Sequence, residues 1–340
     1  MGSSTVQREV RIDEAIGLAL AHDLTRIVPG QFKGVAFRKG HIIREEDIPE
    51  LKRIGKEHIF VLELGEGDLH EDDAAVRMAA AVCGSHVTAG QPSEGKVLLK
   101  SAIRGLAVIE PAFIHEVNRI EQLALATLPS YTVVEAGQTL AGTRVIPLFV
   151  SAAKVEAVES LGRRWQADHL DERPISVKPF RILRTGLITT GSEVYNGLIA
   201  DKFGPVVRAK LEHFGSSVVE QRLCTDDTEA IVAEIRYFQQ RQVDLILVTG
   251  GMSVDPDDRT PGAIKQAGAR IVSHGTPMLP GSMLLAAYLG DIPIMGLPGS
   301  VMHDRFTVFD VLLPRVCAGV LLERSHIVEL GYGGLFADRG

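Results

Sequence analysis

The chain contains the stretch VTGGMSVDPDDRTPGAI at residues 248–264. An apolar run stops in two glycines and a serine, and three carboxylates, Asp255, Asp257 and Asp258, follow before Arg259, Thr260 and Pro261. Two other segments have the same grain: TTGSE at residues 189–193 and GLPGS at residues 296–300. Glycine lets a backbone come close to a ligand, and amides at the start of the following helix can cradle phosphate or another anion. Any one such turn is ordinary strand-to-helix punctuation, but three in one half of a chain select a ligand site. Carboxylates accompany them: Glu193 after the first loop, Asp201 eight residues on, Asp226 and Asp227 before a helix, and the three acids of the second loop. Acids beside an anion pocket would repel a bare phosphate. They suit a Mg²⁺ ion, or the amino and N–H groups of a polar heterocycle. Asp227 reads as a helix cap and Asp257 as a solvated loop charge; Asp226 and Asp258 read as functional.

The elements that must position these loops follow from periodicity. After Phe180 the pattern alternates: strand RILRTGLITTG, helix GPVVRAKLEHFG, strand SSVVEQRL, helix DTEAIVAEIRYFQQR and strand VDLILVTGG. Then come a helix near TPGAIKQAG, strand ARIVS, helix SMLLAAYLG, strand IPIMGLPG and helix DRFTVFDVLLPRVCAG. Such alternation predicts an α/β domain with a mostly parallel sheet between two helical layers, whose ligand sits at the carboxyl ends of the strands. The preceding part reads as α+β. Residues 1–65 form a segment with a short helix from Asp13 through Ala15, Ile16, Ala19 and Leu20, β-rich stretches, and a second helix with Asp47 as cap and Gly55 at its end. Residues 66–178 carry the helices EDDAAVRMAAAVCG and EPAFIHEVNRIEQLALATL, the latter with Ile114, Val117, Ile120 and Leu123 on one stripe. A helix from Ser151 ends on Gly162, and WQADHLDERPISVKP reads as a polar linker. The α/β domain occupies residues 179–325, and 326–340 form a tail.

With 340 residues, 45% of them hydrophobic, the chain can fill two or three cores. A formal net charge of −7 and the lack of a Lys/Arg cluster argue against nucleic acid. No apolar run approaches the ~20 residues that cross a bilayer, so the expectation is a cytoplasmic protein without a membrane. Cys83, Cys224 and Cys317 lie far apart beside apolar residues and read as core thiols. The eleven histidines show no zinc-ligand spacing.

The ordered series TTGSE, TDDTEAI, VTGGMSVDPDDRTPGAI, PMLPGSM and GLPGS resembles the molybdenum-cofactor biosynthesis domain, the molybdopterin-binding family of adenylyltransferases and molybdenumtransferases, over about residues 180–320. Thr190, Gly191, Ser192 and Glu193 match the family's T-G-x-E turn, and Asp226 the aspartate opening its third helix. Gly250 and Gly251 match its double glycine, Ser253 the serine of the metal-inserting branch, and Asp258 an aspartate of both branches. Thr260 and Pro261 follow as in the adenylating branch, and Pro298, Gly299 and Ser300 match its L-P-G turn. The resemblance implies a deep pterin pocket, with Thr190, Gly191, Ser192, Gly250, Gly251, Ser253, Pro298, Gly299 and Ser300 on the ligand. It further implies Glu193, Asp226 and Asp258 as the acids of catalysis, and Asp226 and Asp258 on Mg²⁺. The sequence departs from both branches: Met252 is expected to crowd the phosphate loop, Asp255 replaces a glycine, and Ser282 and Met283 stand after Pro280-Gly281 where insertases carry lysine. Arg259, Lys265, Arg270 and Arg305 are the candidate replacements for that charge. The expected function is Mg²⁺-dependent insertion of molybdate into adenylated molybdopterin by a homodimer, with a molybdoenzyme as candidate client. The alternatives are a non-catalytic cofactor carrier or sensor, and a nucleotide pyrophosphatase.

Overall fold

The structure, a computed structural model, describes residues 6–28, 32–63, 65, 67–169, 172–252 and 259–336. The described residues pack as two compact units: those up to 103 with 107–177, and 104–106 with those from 178 onward.

In the first unit, strands Val6–Arg11, His58–Glu63 and Ala19–Leu20 form an antiparallel sheet over a core that includes Val10, Leu20, Ile43, Leu51 and Ile59. The helix expected from Asp13 is instead one 3₁₀ turn, Ile12–Glu14. Gly17 at φ +84° breaks it, and Leu20 buries itself opposite Val61 across the sheet. Helix Ile48–Arg53 begins after Asp47, whose carboxylate turns back to accept from the Arg44 amide at 2.9 Å and meets His41 at 2.7 Å.

Helices Glu71–Val82 and Ala152–Asp168 cover a four-stranded antiparallel sheet built from Leu123–Thr127, Thr139–Val145, Lys96–Ser101 and Val87–Ala89. Three expectations change here. The long helix after Glu110 stops at Asn118, and Leu123–Thr127 is a strand. The Asn118 side chain joins the two, accepting from Leu125 N at 2.8 Å and donating to Leu125 O at 3.0 Å. Gly162 lies inside its helix, because a Cβ there would stand 2.7 Å from the Ala81 carbonyl and only glycine lets the two helices touch. The segment read as linker contains a strand, Ile175–Pro179, with Ile175 and Val177 buried.

The second unit is the three-layer α/β/α arrangement. Its strands are β1 (Arg184–Thr190), β2 (Ser217–Cys224), β3 (Leu245–Thr249), β4 (Arg270–His274), β5 (Leu285–Leu289) and β6 (Ile292–Leu297). Its helices are α1 (Ser192–Tyr195), α2 (Phe203–Glu212), α3 (Thr228–Gln240), α4 (Thr260–Gln266), α5 (Ser300–His303), α6 (Val308–Cys317) and α7 (Arg324–Val328). The sheet order is β2-β1-β3-β6-β5-β4, parallel from β2 to β6 and antiparallel beyond.

Strand residues alternate between two cores: Leu187, Leu245, Leu247 and Met295 pack with α2 and α6, while Ile188, Ile246, Val248 and Ile294 pack with α3 and α4. Burial on both faces is why these strands read as continuous apolar runs. The same alternation corrects the helix expected over SMLLAAYLG. Leu285, Ala287 and Leu289 enter one core and Ala286 and Tyr288 the other, a period of two, and Gly290 at φ +61° turns the chain straight into β6. The C-terminal stretch packs back, with Ile327 of α7 buried in the core. Among the described residues no helix is long and apolar enough to cross a membrane.

Candidate functional site

The carboxyl ends of β1, β3 and β6 carry the three glycine-bearing turns, as the alternation requires. At the end of β3, Gly250 and Gly251 take φ +90° and +58°, conformations that L side chains rarely adopt. Space demands glycine as well: a Cβ on Gly250 would stand 2.5 Å from Thr190 O and 2.6 Å from Thr190 Oγ1. The buried hydroxyl of Thr260, first residue of α4, donates to Gly250 O at 2.9 Å and ties the far end of the loop to its start.

The loops after β3 and β6 border an open cleft of about 400 Å³, lined by Gly250, Gly251 and Met252 and by Pro298, Gly299 and Ser300; Thr190, Gly191 and Ser192 of the turn after β1, expected on the ligand, are not among its lining residues. Phe203 of α2 and the turn Gly281-Ser282-Met283 supply further walls. Ser282 and Met283, which stand in place of the expected lysine, thus face the cleft, and none of the described lining residues is charged. The volume falls within the range of small-ligand sites, about 300 to 1,000 Å³. Two hydroxyls at these turns, Thr190 Oγ1 and Ser300 Oγ, are buried and have no hydrogen-bond partner among the described residues. Leaving such a group unpaired costs about 1–3 kcal/mol; of the two residues only Ser300 lines the cleft.

Met252 behaves differently from expectation. It is buried, and its sulfur and methyl lie where a Cβ of residue 296 would be, at 2.6 and 2.8 Å. Gly296 on β6 makes the room, so the thioether joins the sheet core rather than crowding the loop.

The acids divide by environment. Asp226 Oδ2 accepts from the Ser192 amide at 2.9 Å and from Ser192 Oγ at 3.4 Å, which fixes the turn after β1. Asp227 caps α3 by accepting from Ala230 N at 3.0 Å. Glu193 is exposed and its carboxylate bonds no described residue. Ser253 and Asp258, with Asp255 and Asp257, fall outside the described residues. Among the described residues, no three His, Cys, Asp or Glu side chains gather into a set that could hold a metal ion.

The role of Asp201 was not legible from spacing alone. Its Oδ1 accepts from Phe203 N at 2.9 Å and its Oδ2 from Gly204 N at 3.1 Å and Gln221 Nε2 at 2.6 Å. Gln221 also donates to Thr189 Oγ1 at 3.0 Å, which bonds Thr249 Oγ1 at 3.2 Å. A polar thread therefore runs from β3 through β1 and β2 to the first turn of α2 and holds Phe203 against the cleft. The same carboxylate occupies the start of α2, so that helix end is not available to an anion. Cys224 lies at the end of β2, where burial first, then the charges of Glu234 and Asp226, push its thiol up to about 12. It is a packing residue and no nucleophile.

A glycine-bearing cleft of small-ligand size, with no charged side chain among its described lining residues, lies at the strand ends of this doubly wound α/β unit. Residues 186–317 match the family described as "Probable molybdopterin binding domain", and this segment belongs to the molybdenum-cofactor biosynthesis domain family. Residues 9–63 match a "Domain of unknown function (DUF8806)". The CinA-like protein of Mycobacterium tuberculosis (strain H37Rv) is 34% identical over 77 residues, 23% of this chain and 18% of that protein. The match thus spans under a fifth of the curated relative's length. Among solved structures, the molybdopterin biosynthesis enzyme MoaB of Thermus thermophilus is 24% identical, covering 41% of this chain and 94% of that one, with a TM-score of 0.35. The molybdopterin biosynthesis Mog protein of Mycobacterium ulcerans is 21% identical, covering 41% and 97%, with a TM-score of 0.33.

Proposed function

We propose that the second unit binds molybdopterin, free or adenylated, in the cleft between Gly250-Gly251 and Pro298–Ser300, and that the chain acts in cytoplasmic molybdenum-cofactor biosynthesis. The observation that carries this reading is the cradle itself. Two left-handed glycines are backed onto other chain atoms, Gly250 onto Thr190 and Gly251 onto the Thr260 hydroxyl, with no space for a side chain, and Ser300 stands at the opposite turn of the cleft. Backbone amides and hydroxyls suit the polar edge of a pterin, and Phe203 and Met283 offer its rings apolar contact.

In its enzymatic form the proposal is insertion of molybdate, the substrate, into adenylated molybdopterin, with Glu193, Asp226 and Asp258 as the acids. The described acids do not build a Mg²⁺ site: Glu193 is in solvent and Asp226 gives one oxygen to Ser192. Ser282 and Met283, which line the cleft where insertases carry lysine, favour a second reading, a carrier or sensor that holds the finished cofactor and passes it to a molybdoenzyme. Calorimetric titration with molybdopterin and its adenylated form, with and without molybdate and Mg²⁺, followed by mass analysis of the recovered ligand, separates the two. Release of AMP and metal-loaded cofactor supports insertion, and unchanged ligand supports the carrier. Full insertion by Asp258→Asn would remove Asp258 from the chemistry, and hydrolysis of ADP-ribose would point to a pyrophosphatase instead.

A further inference from the structure

Strand β2 ends the six-stranded sheet, with no described strand on its outer side. Free edges attract other strands, and proteins guard them with charges and bulges. This edge has both, because Val219 is an extra residue in the register against β1 and Glu220 and Arg222 sit in mid-strand. Yet it also exposes Val219 by 46% and Leu223 by 41%, two apolar side chains flanking the charged pair.

The spacing resolves this. In an antiparallel pairing of β2 with itself about Gln221, Glu220 of each copy faces Arg222 of the other and Val219 faces Leu223. A two-residue slip one way sets Arg222 against Arg222, and the other way Glu220 against Glu220. A one-residue slip puts one of the apolar residues opposite a charge, Leu223 against Glu220 or Val219 against Arg222. The charges therefore guard against every nearby register but one. They are also held in place beforehand. Glu220 accepts from Tyr237 OH at 2.9 Å and from Arg222 at 3.2 Å, and the Arg222 guanidinium lies 4.3 Å from the Tyr237 ring centre and is bonded to Glu234. Little freedom is left to lose on association.

We propose that β2 is a dimerisation edge, through which two copies of this chain join their sheets antiparallel about Gln221. The Arg208 guanidinium takes the Val218 carbonyl at 3.3 Å, so the paired run starts at Val219. Tyr195, Leu198 and Ile199, all exposed on the segment beyond the turn that Asp226 holds, extend the apolar surface at the carboxyl end of β2. This inference does not depend on what the cleft binds.

The test is sedimentation equilibrium of the full chain. The wild type is expected to be a dimer. Arg222→Glu, which sets like charges opposite each other, is expected to raise the dissociation constant roughly tenfold or more. The double exchange Glu220→Arg/Arg222→Glu is expected to bind more tightly than Arg222→Glu alone but less tightly than the wild type, because complementarity across the seam returns with its sign reversed while the hold of Glu234 on residue 222 is lost. Val219→Lys, which leaves the Arg222–Glu234 pair intact, is expected to weaken the dimer while circular dichroism stays unchanged. A monomeric wild type, or a dimer indifferent to both Arg222→Glu and Val219→Lys, would overturn the proposal.

Discussion

Gly250 and Gly299 both line the cleft, yet alanine at each should have opposite consequences. A methyl on Gly250 meets Thr190 O at 2.5 Å and Thr190 Oγ1 at 2.6 Å, with the backbone at φ +90°. The left-handed conformation costs about 1–2 kcal/mol for an alanine, and forcing a methyl into occupied space costs about 1–3 kcal/mol. Roughly 3 kcal/mol follows for the second unit, or a fall of about 6–12 °C in its melting temperature at this domain size. A methyl on Gly299 meets no atom within 4 Å, and its φ of −56° suits any residue. Gly299→Ala should melt with the wild type but place its methyl at the cleft wall and weaken the ligand. Differential scanning calorimetry of both variants, paired with ligand titration, reads the two effects separately. An undestabilised Gly250→Ala, or a Gly299→Ala that loses stability and keeps full affinity, would refute the reasoning.

Asp226→Ala removes the acceptor of the Ser192 amide, so that amide should exchange with deuterium faster, at a cost of about 1 kcal/mol. Gly162→Ala drives a methyl to 2.7 Å from Ala81 O and should destabilise the first unit by about 1–3 kcal/mol, read by urea unfolding. The Arg77 guanidinium, bonded to Glu159 at 2.7 and 2.9 Å, holds that carboxyl below its usual range. A depressed folded value contributes stability above the unfolded value, near 4.3, that is lost as pH falls through the folded one. The pair is partly solvated, so Arg77→Ala should cost only about 0.5–1 kcal/mol at pH 7 and less at low pH. Burial pushes the thiols of Cys224 and Cys317 up to about 12, while Cys83 is half-buried and raised less. A thiol reagent should therefore reach Cys83 first, and the other two only on unfolding.

The doubly wound half was legible because alternating strands and helices each announce themselves by period, and its loops by glycine. What misled was apolar content without a readable period. LLAAYL carries apolar residues at every position, and only the two cores on either side of the sheet show that the period is two. The stripe from Ile114 to Leu123 continues past the point where Asn118 ends its helix by bonding Leu125. Gly162 looked like a helix end because a close helix–helix contact leaves no sign in one sequence. In the site, glycine positions were readable because backbone geometry demands glycine. The partners of Asp226 and Asp201 were not, because both carboxylates bond amides of elements distant in sequence or set by the turn itself.

The central claim, that the glycine cradle holds a molybdopterin, is tested most directly by titrating purified wild-type protein and Gly299→Ala with molybdopterin in a calorimeter. The account predicts saturable binding to the wild type with one ligand per chain, and clearly weaker binding to the variant at unchanged melting temperature. Absence of binding to the wild type, or equal binding to both, would contradict it.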